Sequence, residues 1–103
     1  MLIGNRLHLT MSDIISEEEI EDLSKKVPEW EVEGSCLVRN FEFEDFNDAM
    51  DFVNAVADVA EEAQHHPDID IRFDNVSLSL TTHEVKGLTE DDFELAGRID
   101  NLL

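Results

Sequence analysis

Residues 45–80 read DFNDAMDFVNAVADVAEEAQHHPDIDIRFDNVSLSL, and within them the apolar period changes from helical to alternating. Asp45 suits an N-cap, and Phe46, Ala49, Met50, Val53, Val56, Ala57 and Ala60 recur behind it at helical spacing. Pro67 holds the residue before it in extended geometry, so the helix must stop short of it. Ile69, Ile71 and Phe73 then alternate, Asp74-Asn75 suits a turn with positive φ, and Val76, Leu78 and Leu80 alternate again. This is the pattern of a long helix followed by a β-hairpin. Ser77, Ser79, Thr81 and His83 lie opposite the leucines, which predicts a polar second face for the last strand.

Ser16-Glu-Glu-Glu19 fits a capping box, with Ile20, Leu23 and Val27 as the stripe of a short helix that Pro28 ends. Trp30 to Glu33, Gly34, and Cys36 to Phe43 read as two strands around a tight turn. Leu37, Phe41 and Phe43 share a face of the second strand, and Arg39 interrupts it. After Gly87, Thr89 caps a last helix with Asp92 three residues on, and Leu95, Ile99 and Leu102 form its stripe. The order is α-β-β-α-β-β-α. Short connections favour antiparallel pairing, so the expected fold is α/β of the α+β kind: a four-stranded antiparallel sheet with three helices on one face. Residues 1–15 are expected to be a poorly packed N-terminal extension and residues 16–103 the domain. Residues 1–10 fit no element, and Met11 with its following Ser-Asp reads like a natural start.

The chain of 103 residues carries 26 acidic and 7 basic side chains, a net charge of −19. Such a surface repels phosphate backbones and anionic membranes, so neither nucleic acid nor membrane is an expected partner. No apolar run is long enough for a membrane span, and the first ten residues do not resemble a signal peptide. Cys36 is the one cysteine, so it has no internal disulfide partner. A cytoplasmic protein is the expectation. Only three lysines (Lys25, Lys26, Lys86) are present to offset the acids, and a compact domain so charged needs counterion screening. That composition suits a salt-in halophile.

The chemistry concentrates in three histidines. His65 and His66 stand near the end of the long helix, where imidazoles also interact favourably with the helix dipole, and His83 follows the polar strand face. Glu61 precedes His65 by four residues, which places the two on one helical face if the helix continues. A carboxylate beside an imidazole raises its pKa, as a proton-transfer group requires. Glu61, His65 and His83 could also serve as three metal ligands, but there is no HExxH motif and no neighbouring cysteine, so no metal is expected. A serine nucleophile elbow and a glycine-rich phosphate loop are both missing.

Glu61, three residues, His65-His66-Pro67, five residues, Phe73, nine residues, His83, eight residues and Asp92 together resemble the signature of pterin-4a-carbinolamine dehydratases. Trp30 before a hairpin, Phe41-Glu-Phe43-Glu-Asp-Phe46, and Leu80-Thr-Thr-His83-Glu with Gly87-Leu88-Thr89 are similar to the same family. The resemblance runs from about Ser16 to the C-terminus. It implies removal of water from a 4a-hydroxytetrahydropterin to give quinonoid dihydropterin, without metal or organic cofactor. It implies His65 as principal acid/base, His66 and His83 as pterin-binding assistants, and Glu61 as the group that tunes or orients His65. Trp30 and Phe73 would help bind substrate, and Asp92 would at least cap the last helix. Gln64 departs from the pattern, standing where several relatives carry Asp. The family also implies a homodimer or homotetramer. Competing readings are a dehydratase-like protein for another pterin, linked to molybdopterin, and a coactivator-type dimerisation module, which the acidic surface does not favour.

A thermal melt at about 0.1 M and about 2 M KCl tests the charge argument. The midpoint is expected to rise at the higher salt, because screening relieves repulsion within one domain. An unchanged or lower midpoint removes the halophile reading.

Overall fold

A computed structural model describes Thr10 and residues 13–103 of the chain. Its elements are α1 (Glu17–Ser24), β1 (Glu31–Glu33), β2 (Cys36–Glu42), α2 (Phe46–Ala63), β3 (Asp68–Arg72), β4 (Asn75–Leu80) and α3 (Glu90–Asp100). The strands form one antiparallel sheet in the order β1-β2-β4-β3, so the fold is α+β with the expected element order. No described helix is long and apolar enough to cross a membrane.

Local signals place the helix starts. The Ser16 hydroxyl accepts from Glu19 N at 3.2 Å, and Asp45 Oδ1 accepts from Asp48 N at 2.8 Å. Helix α1 ends earlier than Pro28. The i→i+3 bonds from Lys26 N to Leu23 O and from Val27 N to Ser24 O tighten the chain out of the helix, so Val27 is buried from a turn.

Alternation along β2 and β4 decides which sheet face is covered. Leu37, Phe41, Val76, Leu78 and Leu80 are buried on one side, together with Ala49, Phe52 and Val56 of α2 and Leu95, Ala96 and Ile99 of α3. Ile20 and Leu23 of α1 pack against this core. Phe52, outside the apolar stripe read from the sequence, is a central member: its ring lies 4.7 Å from Phe41 and 5.0 Å from Phe43. Phe46 and Ala57, which that stripe did include, are exposed. Arg39 sits on the covered face because Asp100 Oδ1 accepts from its guanidinium at 2.8 Å, while its charge lies 4.4 Å over the Phe41 ring.

Two turns differ from the sequence reading. Arg72 pairs with Asn75, so the β3–β4 turn is Phe73-Asp74, with Phe73 at φ 57°. The third strand dictates this: Asn75 is held opposite Glu42, and Phe43 N donates to Asp74 O at 2.9 Å. Strand β4 stops at Leu80, and residues 82–87 form a turn in which Thr82 O accepts from Val85 N, Lys86 N and Gly87 N. His83 therefore belongs to that turn rather than to the polar strand face.

Of the first fifteen residues, 1–9 and 11–12 lie outside the described ones. Ile15 is buried and donates its N–H to Leu88 O at 3.0 Å. A Cβ at Gly87 would fall 2.9 Å from Ile14 Cδ1. Packing thus begins ahead of Ser16, where the sequence reading had placed the domain boundary.

Leu78→Ala tests the sheet–helix core. Leu78 is buried at the centre of the sheet, so truncation is expected to destabilise the fold by about 2–5 kcal/mol, read from urea unfolding.

Candidate active site

The end of α2 turns sharply. Gln64 takes the left-handed conformation (φ 54°, ψ 41°), and its N–H bonds back to Ala60 O and Glu61 O. His65 N donates to Ala60 O at 3.1 Å. This C-cap takes His65 off the helix, so the i, i+4 relation to Glu61 read from the sequence does not form. Glu61 meets the next histidine instead: its Oε2 lies 2.8 Å from His66 Nε2, and both side chains are exposed.

His65 has a different partner. Its Nε2 lies 2.5 Å from Oδ1 of Asp92, a carboxylate with 0% exposure. Asp92 stands in the first turn of α3, where a negative charge interacts well with the helix dipole. Its second oxygen, Oδ2, accepts from Thr89 N at 3.0 Å and from the Thr82 hydroxyl at 2.8 Å. The Thr82 and Thr89 hydroxyls are 2.8 Å apart. Since the Thr82 proton points to Asp92, Thr82 accepts from Thr89, and the hydroxyl chain runs Thr89 to Thr82 to Asp92. Every buried side-chain polar atom among the described residues has a partner.

The His65 pKa is raised above its ordinary value. The hydrogen bond to Asp92 is the largest cause; burial opposes it; the negative charges of Asp92, Asp91 and Glu84 add to it. Asp92 holds Nε2, so Nδ1 is the other nitrogen of the ring at which a further contact could form. A recess of about 110 Å³ opens beside His65, lined by Ala63, Asp91, Glu94, Leu95 and Arg98.

The remaining candidates lie at different distances from this pair. His83 is exposed on the 82–87 turn, one residue from Thr82, and the charge of neighbouring Glu84 reaches His65. Trp30 is buried and donates its indole N–H to Asp100 Oδ1 at 2.8 Å. Asp100 stands eight positions after Asp92 in α3, roughly 12 Å along the helix. Phe73 is 68% exposed at the far tip of the β3–β4 hairpin, roughly 16 Å of strand from the start of β3. The structure brings together His65, Asp92, Thr82 and Thr89, with the His66–Glu61 pair and His83 on flanking segments. It does not bring Trp30 or Phe73 to them within one chain. Among the described residues, no three His, Cys, Asp or Glu side chains converge as a metal site requires. The pairing of Asp92 with His65 escaped the sequence reading, whose available signal for Asp92 was its capping position.

The chain is similar to known proteins. Residues 13–102 match the family model described as pterin 4 alpha carbinolamine dehydratase. A protein of Thermomicrobium roseum, provisionally named a pterin-4-alpha-carbinolamine dehydratase, is 49% identical over 88 residues, covering 85% of this chain and 95% of its own. A protein of Chloroflexus aurantiacus with the same provisional name is 48% identical over 89 residues, covering 86% and 96%. The crystal structure of a transcriptional coactivator/pterin dehydratase from Brucella melitensis is similar with a TM-score of 0.82 at 30% identity, covering 86% of this chain and 97% of that one. A pterin dehydratase-like protein identified as a RuBisCO assembly factor in the alpha-carboxysome is similar with a TM-score of 0.60 at 26% identity, covering 71% and 84%.

The raised His65 pKa makes a pH prediction with a definite sign. The stabilisation it contributes is fully present below the unfolded-state value of about 6.5 and is lost as pH rises through the higher folded-state value. The stability gap between wild type and His65→Ala is therefore expected to narrow as pH rises through that range, measured by urea unfolding. NMR titration of Asp92→Asn is expected to show the His65 pKa lowered, whereas Glu61→Gln leaves it in place.

Proposed function

This chain belongs to the pterin-4a-carbinolamine dehydratase family, and we propose that it removes water from a 4a-hydroxytetrahydropterin by histidine acid/base catalysis. The observation that carries the reading is the His65–Asp92 pair: an imidazole with a raised pKa, held through Nε2 by a fully buried carboxylate. Dehydration breaks the C4a–O bond and forms a C4a=N5 double bond. The departing hydroxyl takes a proton and leaves as water, while N5 gives up its own. The His65 imidazolium supplies the first proton from Nδ1 and keeps its Nε2–H on Asp92, as a carboxylate-supported histidine does.

The N5 proton passes to one of the exposed imidazoles, His66 or His83, and both help to bind the pterin. His66 suits that role because it is exposed and Glu61 Oε2 holds its Nε2 at 2.8 Å. Glu61 thus acts on His66 in this mechanism, not on His65. No step calls for a metal or an organic cofactor. The proposal extends to a homodimer or homotetramer in the cytoplasm. Supporting an assembly, β3 is an edge strand with exposed Ile69 and Ile71, beside exposed Phe73.

Turnover of synthetic 4a-hydroxytetrahydropterin, corrected for the uncatalysed reaction, tests the proposal. His65→Ala is expected to lower turnover by about 10²-fold or more. Turnover should also fall as pH rises through the His65 pKa, since the acid must be protonated. A His65→Ala variant as fast as wild type, or a wild type no faster than solution, overturns it.

A further inference from the structure

A buried hydroxyl stands behind the acid, and the reaction as written does not use it. Thr82 has 0% exposure, and it follows β4 by only two residues, yet its side chain reaches the first turn of α3. It accepts from the Thr89 hydroxyl at 2.8 Å and donates to Asp92 Oδ2 at 2.8 Å. Thr89 N donates to the same oxygen at 3.0 Å. Both donors therefore fall on Oδ2, and among the described residues Oδ1 is left to His65.

We infer that Thr82 is a positioning residue whose hydroxyl holds the Asp92 carboxylate aimed at His65, so that the proton they share stays on the imidazole. The pair has two forms. In one, His65 is an imidazolium and Asp92 a carboxylate; in the other, the proton has crossed to Oδ1 and both groups are neutral. Hydrogen bonds donated to Oδ2 stabilise the carboxylate and so favour the charged form. Burial pushes the other way, because it penalises the two charges. Asp91 and Glu84 favour a positive His65 from α3 and from the 82–87 turn, but neither supplies a donor to Asp92. Among the described residues, Thr82 is the one side chain that does, besides His65 itself. Without its hydroxyl the shared proton moves toward Asp92, and Nδ1–H becomes that of a neutral imidazole, a far weaker acid.

The inference rests on the proposed dehydratase reading for its kinetic consequence, but its spectroscopic consequence stands apart from any turnover. The experiment compares wild type, Thr82→Val and Thr82→Ser by ¹⁵N NMR of the His65 ring near neutral pH, with steady-state kinetics on synthetic 4a-hydroxytetrahydropterin. Thr82→Val is expected to shift the Nε2 resonance toward the unprotonated value and to lower kcat about tenfold, with KM within about twofold. Thr82→Ser, which keeps the donor, is expected to match wild type in both. Should Thr82→Val not fold, Thr82→Ala removes the same hydroxyl and is read in the same way. A hydroxyl-free variant whose Nε2 signal is that of wild type overturns the inference, and so does a serine variant that shifts as far as valine. A wild type without dehydratase activity but with the expected Nε2 shifts overturns the proposed function and leaves the role of Thr82 in place.

Discussion

The structure depends on the burial of one carboxylate. An isolated charge removed from water is among the most costly features a fold can carry, so Asp92 at 0% exposure must be solvated by the chain itself. Its partners come from three places: the backbone of Thr89 at the start of α3, the hydroxyl of Thr82 after β4, and the ring of His65 after α2. Satisfying this single group therefore fixes where three otherwise separate segments meet. The same bonds hold an imidazole with a raised pKa, so the constraint that assembles this corner also favours a protonated His65.

What the sequence made legible was local. Helix starts at Ser16, Asp45 and Thr89 are written in residues within three positions of one another, and periods of 3.6 and 2 separate helix from strand. The contacts that build the site are distant in sequence. His65 and Asp92 are 27 positions apart, and Trp30 and Asp100 are 70 apart, so no pattern of spacing announces either pair. The Glu61–His65 expectation failed for a local reason: it assumed one more turn of helix, and Gln64 ends α2 in a left-handed cap. Gly and Asn are the usual residues there, so a glutamine gives little warning. Arg39 was visible only as an interruption of an apolar face. Its meaning waited for Asp100, 61 residues on.

Helix α3 connects these observations, because an aspartate pins it at each end. At the N-terminal end the charge of Asp92 agrees with the helix dipole; at the C-terminal end that of Asp100 opposes it. Asp100 is stabilised by Arg39 and the indole of Trp30, which tie the end of α3 to β2 and to the residue before β1. Of the many acids on this chain, these two have roles in packing, while Glu31, Glu33, Asp68 and Asp70 share the uncovered face of the sheet. The rest of the surface charge can then vary without disturbing the two that orient α3.

The two kinds of histidine differ in the same way. His65 is anchored through Asp92 to the packed interior, and its ring orientation is set before any substrate arrives. His66 and His83 are exposed: one is tethered only to the exposed Glu61, and the other sits on a turn. For the proposed dehydration this asymmetry has a physical logic. The acid must meet a leaving hydroxyl at one defined angle, so its geometry is best fixed in advance by groups that do not move. A residue that grips a planar ring and accepts its proton can be ordered by the ring itself, at an entropic expense drawn from binding. The position of His65 thus belongs to the fold, and the final positions of His66 and His83 belong to the complex.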